Sequence, residues 1–180
     1  MNIQIEVTPN PNSLKFIPGK IVSKSGPIEI TDKSEVNNEL IRNILSINEI
    51  KSVFLGQDFL SVNKAPDIDW EEVKHIIISL IEEFYAKNSN YIFDKNFEKK
   101  EKENFIEIEQ KIIDILESKV RPAVAKDGGD IKFKEFKDGV VKVQLQGSCS
   151  GCPSSTMTLK QGVQNLLCHY IPEVREVISV

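Results

Sequence analysis

The first residues alternate apolar and polar positions at Ile3, Ile5 and Val7, break at Thr8-Pro-Asn-Pro-Asn-Ser13, and resume as Leu14-Lys-Phe-Ile17. Period-two alternation on either side of a Pro/Asn turn predicts two strands. Farther along, Val36, Leu40, Ile41, Ile44 and Ile47 keep a helical spacing, and Ser34 ahead of them can cap that helix. Ser52-Val-Phe-Leu55 and Phe59-Leu-Ser-Val62 flank a Gly56-Gln-Asp58 turn and predict a β-hairpin. Asp67 or Asp69 then opens a second helix with Trp70, Val73, Ile77, Leu80, Ile81 and Phe84 along one side, a stripe wide enough to cover a sheet.

The pattern is lost between Asn88 and Asn104, where four lysines (Lys95, Lys99, Lys100, Lys102) and four acids (Asp94, Glu98, Glu101, Glu103) outnumber the apolar residues. Such a stretch reads as a solvated linker with flexible tethering as the default, and Tyr91, Phe93 and Phe97 read as scattered aromatics within it. A helical stripe returns with Phe105, Ile108, Ile112, Ile115 and Leu116, and Pro122 is expected at or just past its end. After an Asp127-Gly-Gly-Asp130 turn, Ile131 to Phe136 reads as a strand and Asp138-Gly139 as a hairpin turn. Val141, Val143 and Leu145 then alternate strictly with Lys142, Gln144 and Gln146, so one face of that strand is buried and the other wet. A helix from about Ser154 to Tyr170, striped by Leu159, Val163, Leu166, Leu167 and Tyr170, precedes a Val174–Val180 tail that can pair as a third strand. The expected fold is α+β, with two small domains at residues 1–87 and 105–180 joined by a charged linker at 88–104, each a small sheet covered by helices.

A hydrophobic fraction of 40% over 180 residues suffices for two ordinary cores. No stretch approaches the roughly 20 apolar residues of a bilayer span, so no membrane partner is expected. The start of the chain alternates like a strand and carries no targeting pattern, which points to the cytoplasm, or to a mature mitochondrial form after removal of a leader. A net charge of −4 with both signs mixed provides no clustered positive face for nucleic acid. Three cysteines with one close pair do not make a disulfide framework and suit a reducing compartment.

That close pair is Cys149 and Cys152, in Gly147-Ser-Cys-Ser-Gly-Cys-Pro-Ser-Ser155. Two thiolates two residues apart can share one metal without straining the backbone; Gly151 permits a positive φ in the turn, and Pro153 suits a helix entrance. A helix N-terminus at Cys152 favours anions and would lower a thiol pKa. Iron–sulfur clusters and structural zinc generally take four protein ligands, and this segment offers two. Cys168 lies about 24 Å along an unbroken helix at about 1.5 Å per residue, opposite the Leu159 stripe, and His75 and His169 have no ligand spacing to the pair. The two missing ligands are therefore expected from a second chain. Spacing alone leaves open a thiol–disulfide oxidoreductase, a zinc-stabilised adaptor and a cluster carrier.

The surrounding residues add a resemblance. Arg121-Pro122, Asp127-Gly-Gly-Asp-Ile131, Gly147 to Ser155, Thr158-Leu-Lys160, Gly162 and Tyr170-Ile-Pro-Glu-Val174 closely resemble the C-terminal domain of the NifU family, the Nfu-type iron–sulfur scaffold and carrier proteins. Thr8 to Gly19, Phe54 to Val62 and Asp69-Trp70 look like the Nfu N-terminal domain, in the same order. The resemblance implies a homodimer bridged by a [4Fe-4S] cluster on Cys149 and Cys152 of each subunit, with [2Fe-2S] as the alternative form. It also implies carriage rather than catalysis, with assembly proteins upstream and apo-protein clients downstream. Asp127, Gly128, Gly129 and Asp130 are expected to form a structural turn, since carboxylates are poor partners for a cluster that prefers sulfur.

Overall fold

The computed structural model describes residues 1–180 except 89–90, 95–105 and 152, and describes no side chains for 153–155. Phe97, Phe105 and Cys152 thus lie outside the described residues.

The first lobe is a five-stranded antiparallel sheet in the order β1-β2-β5-β4-β3. Strands β1 (Gln4–Val7) and β2 (Ser13–Ile17) form the predicted pair. Asn10 holds their turn, accepting from the Asn12 N–H on its side-chain oxygen at 3.0 Å and from the Ser13 N–H on its carbonyl at 3.0 Å. Strand β3 (Ile28–Ile30) was not among the expected elements, while β4 (Ile50–Leu55) and β5 (Leu60–Lys64) are the predicted hairpin. Alternation puts Leu14, Phe16, Val53, Leu55, Leu60 and Val62 in one core beneath α1 (Glu39–Ser46) and α2 (Trp70–Lys87). Ile41, Ile44, Ile77 and Ile81 from those helices are fully buried, each contributing about 2 kcal/mol of apolar transfer. Asp69 caps α2 by accepting from the Glu71 N–H at 3.1 Å, as its position predicted.

Three expectations need correction here. Helix α1 starts at Glu39 and is capped by Asn38, which accepts from the Ile41 N–H at 3.1 Å; Ser34 instead sits in a short 3₁₀ turn, Lys33–Glu35, capped by Asp32. Ile92, in the charged stretch, is 4% exposed in the first core, and its N–H donates to the Val22 carbonyl at 2.9 Å; Phe93 bridges Ser23 beside it. The aromatics flanking Ile92 are thus part of a docked segment rather than scattered through solvent. Pro122 does not end its helix. The helix α3 (Glu107–Ile115) passes through one π turn, Leu116–Val120, into α4 (Arg121–Lys126). Proline has no N–H to give and crowds the preceding turn; widening that turn, so that the Arg121 N–H reaches the Leu116 carbonyl, carries the chain past it.

The second lobe pairs β6 (Gly129–Lys137) with β7 (Val140–Gly147) antiparallel, and β7 with β8 (Glu176–Ser179) parallel, the crossover being α5 (Pro153–Tyr170). Val141, Val143, Leu145, Val163, Leu167 and Val177 fill its core with Ile112, Leu116 and Val124 from the kinked helix. The two lobes touch: the face of the first sheet opposite its core packs on the end of β7, where separate tethered bodies were expected.

Candidate metal-thiolate site

Cys149 stands just beyond the end of β7, in the turn that leads to α5. Two close approaches shape that turn. Gly147 has φ +68°, and a Cβ there would come within 2.6 Å of the Gly128 carbonyl oxygen. A Cβ on Gly129, its cross-strand neighbour, would lie 2.6 Å from Cys149 Sγ and 2.7 Å from the Gln146 carbonyl oxygen. The cysteine sulfur therefore rests directly on glycine backbone. Gly151, at φ +75°, has the conformation expected of it.

Hydrogen bonds tie the turn to the Asp127–Asp130 segment. Ser148 Oγ donates to the Asp127 carbonyl, and the Ser148 N–H to the Gly128 carbonyl at 3.2 Å. Thr156 Oγ1 on α5 donates to the Cys149 carbonyl at 3.2 Å. Asp130, 4% exposed, is gripped by Arg121 through Nε at 2.8 Å and Nη2 at 3.1 Å. This carboxylate is engaged by its own guanidinium, as expected of a structural turn rather than a ligand.

Cys149 is 7% exposed, and burial pushes its thiol up to about 11, with the Asp127 and Asp130 carboxylates adding to the rise and a hydrogen bond to Ser148 opposing it. The lowering expected from a helix N-terminus concerned Cys152, which lies outside the described residues; at Cys149, ahead of the helix, desolvation sets the direction. A thiol held neutral at pH 7 lacks the activation that a redox nucleophile needs. Since the thiolate is the reacting species, alkylation of Cys149 by iodoacetamide in the metal-free chain should rise about tenfold per pH unit between pH 7 and 10. Mass spectrometry of the modified peptide checks this; a plateau near pH 8 would mean an ordinary exposed thiol.

Cys149 also lines a 560 Å³ cavity between the kinked helix and α5, walled by Val120, Val124, Leu159 and Leu166, with Pro9 of the first lobe at its edge. Cys168 is half-buried against the second core, and His75 and His169 are exposed on α2 and α5. Among the described residues, no three His, Cys, Asp or Glu side chains gather to hold a metal. The polar groups of the first lobe that reach the cysteine turn were missed by sequence reasoning; alternation marks such positions only as facing away from the core.

The family model described as NifU-like domain matches residues 112–178, and that of scaffold protein Nfu/NifU N terminal matches residues 3–88. The mitochondrial NFU1 iron-sulfur cluster scaffold homolog of Homo sapiens is 42% identical over 183 residues, covering 100% of this chain and 72% of the human one. NifU-like protein 4, mitochondrial, of Arabidopsis thaliana is 39% identical over 184 residues, covering 98% of this chain and 65% of its own. This chain thus spans about two thirds of the length of the plant relative. No described helix is long and apolar enough to cross a membrane.

Proposed function

We infer the function from a chain that belongs to the Nfu-type NifU-like family: it is an iron–sulfur cluster scaffold and carrier whose Cys149 and Cys152 bind a [4Fe-4S] cluster between two subunits. The observation that carries this reading is a two-thiol segment at a strand-to-helix turn, with one cysteine sulfur seated on backbone glycine and no further ligand set among the described residues. Soft thiolates suit iron–sulfur cargo, and two chains bring four. Transfer is ligand exchange, the thiols of an apo-protein replacing these, and it needs no catalytic side chain. The proposed division is a partner-recognition domain at 1–87, a linker at 88–104 and the cluster domain at 105–180. The curated relatives carry mitochondrial names. The compartment proposed for this chain is a reducing one, cytoplasm or mitochondrion, where free thiols persist.

Anaerobic addition of ferrous iron and sulfide to the full chain tests the shared site. About four irons and four sulfides per two chains, eluting as a dimer, is the expected result. Four irons on a monomer would overturn it, and two irons per dimer would replace the four-iron form with the two-iron one.

A further inference from the structure

On the face of the first sheet that looks away from its core, Lys15, Ser52, Ser61 and Asn63 are 8%, 4%, 0% and 9% exposed. Polar side chains on an open sheet face are normally wet, so something specific covers these. The cover is the cysteine turn and its neighbours, with Phe54 of the same face, 1% exposed, close to Gly147, and most hydrogen bonds between the lobes run to the main chain of the turn. Asn63 Nδ2 donates to the Gly147 carbonyl at 3.1 Å, and Ser61 Oγ to the Gly128 carbonyl at 2.8 Å. Asn10 Nδ2 reaches the Ser148 carbonyl at 3.1 Å and the Ser150 carbonyl at 3.4 Å, and Lys15 Nζ the Lys126 carbonyl at 3.2 Å. Glu29 accepts from the Gly147 N–H. What the first lobe grips is thus the backbone shape that Gly128 and Gly147 impose.

We propose that the first lobe is a removable cover for the cysteine turn: docked on residues 128 and 147–150, it stands where a second chain must approach, and it swings aside before two such turns can meet. The blocking role rests on the shared-site reading above; the docking surface does not. Pro9 lines the same cavity as Cys149, so the first lobe reaches the cavity onto which the thiol opens. Each hydrogen bond of the contact is exchanged for one to water when the lobes part, so the polar part of the contact adds little net stability and favours reversibility.

The test uses the full metal-free chain carrying Asn10→Asp and Asn63→Asp. Each change places a carboxylate against the carbonyls of 147, 148 or 150 without altering size, and Asp at position 10 still accepts from the Asn12 N–H. The expected result is a larger radius of gyration by X-ray scattering, with Cys149 alkylated about tenfold faster at fixed pH and the cluster loaded faster by a similar factor. Ser61→Asp, aimed at the Gly128 carbonyl from another strand position, should give the same gains. An unchanged radius in both variants would overturn the docking surface, and a larger radius with both rates unchanged would overturn the covering role. Cluster bound to monomers would sink the shared-site reading, yet faster alkylation of the opened chain would still support the cover.

Discussion

Cys149→Ser is expected to reduce bound iron and sulfide to background after anaerobic reconstitution, and to leave the chain monomeric under conditions that make the parent a loaded dimer. A shared four-thiolate site loses two ligands at once, because each of the two chains contributes position 149 once. Serine cannot compensate: its hydroxyl is a hard donor that stays protonated near neutral pH, whereas iron–sulfur clusters are held by thiolate. The exchange of sulfur for oxygen is nearly isosteric, so the turn framed by Gly129 and Gly147 should survive and thermal unfolding should move little. That separates loss of ligand from loss of fold. A Cys149→Ser chain that keeps its cluster would defeat the bridging site.

The second large effect is on stability. Arg121→Ala should cost about 3 kcal/mol, because it leaves the buried Asp130 carboxylate without its two-pronged partner. The cost sits at the lower end for a broken buried pair, since the Arg121 side chain is 31% exposed and water can enter behind it. Arg121→Lys should fall between, a point charge replacing a planar fork. Arg121→Ala combined with Asp130→Ala should recover most of the loss, because no unpaired charge remains. Denaturant unfolding and amide exchange on β6 and β7 would read this out. Recovery absent from the double variant would locate the cost in packing instead. The pair ties the kinked helix to β6, one residue from the Gly129 that supports Cys149, so cluster loading should fall along with stability.

Much of this architecture is visible in the order of the residues. Val141, Val143 and Leu145 alternate because β7 buries one face, and Ile77 and Ile81 share a stripe because α2 covers a sheet. The parts that escaped share a physical reason: two local solutions were available, and tertiary contacts chose between them. Ser34 and Asn38 are both good caps, and a 3₁₀ turn delayed the helix to the second. A proline normally stops a helix, yet one π turn lets it continue through Pro122, and nothing local announces that. Ile92 stands at the start of a charged stretch, and it is held in the first core by its backbone bond to Val22 and by Asn38, which donates to its carbonyl at 2.6 Å. At the site, the glycines and the cysteine spacing were legible. Cys149 is buried in the core of its own lobe, while the contacts of Asn10, Ser61 and Asn63 depend on a lobe distant in sequence.

The polar makeup of the first lobe's docking face has a consequence for solubility. A surface of Lys15, Ser52, Ser61 and Asn63 that comes loose meets water as an ordinary hydrophilic patch, whereas an apolar one of similar extent would attract other proteins and promote aggregation. A carrier that opened by baring apolar surface would risk precipitation at every release of its cargo. Here the surface bared on parting is mixed: Phe54, 1% exposed on the same face and close to Gly147, is accompanied by Lys15, Ser52, Ser61 and Asn63, which keep its apolar part small.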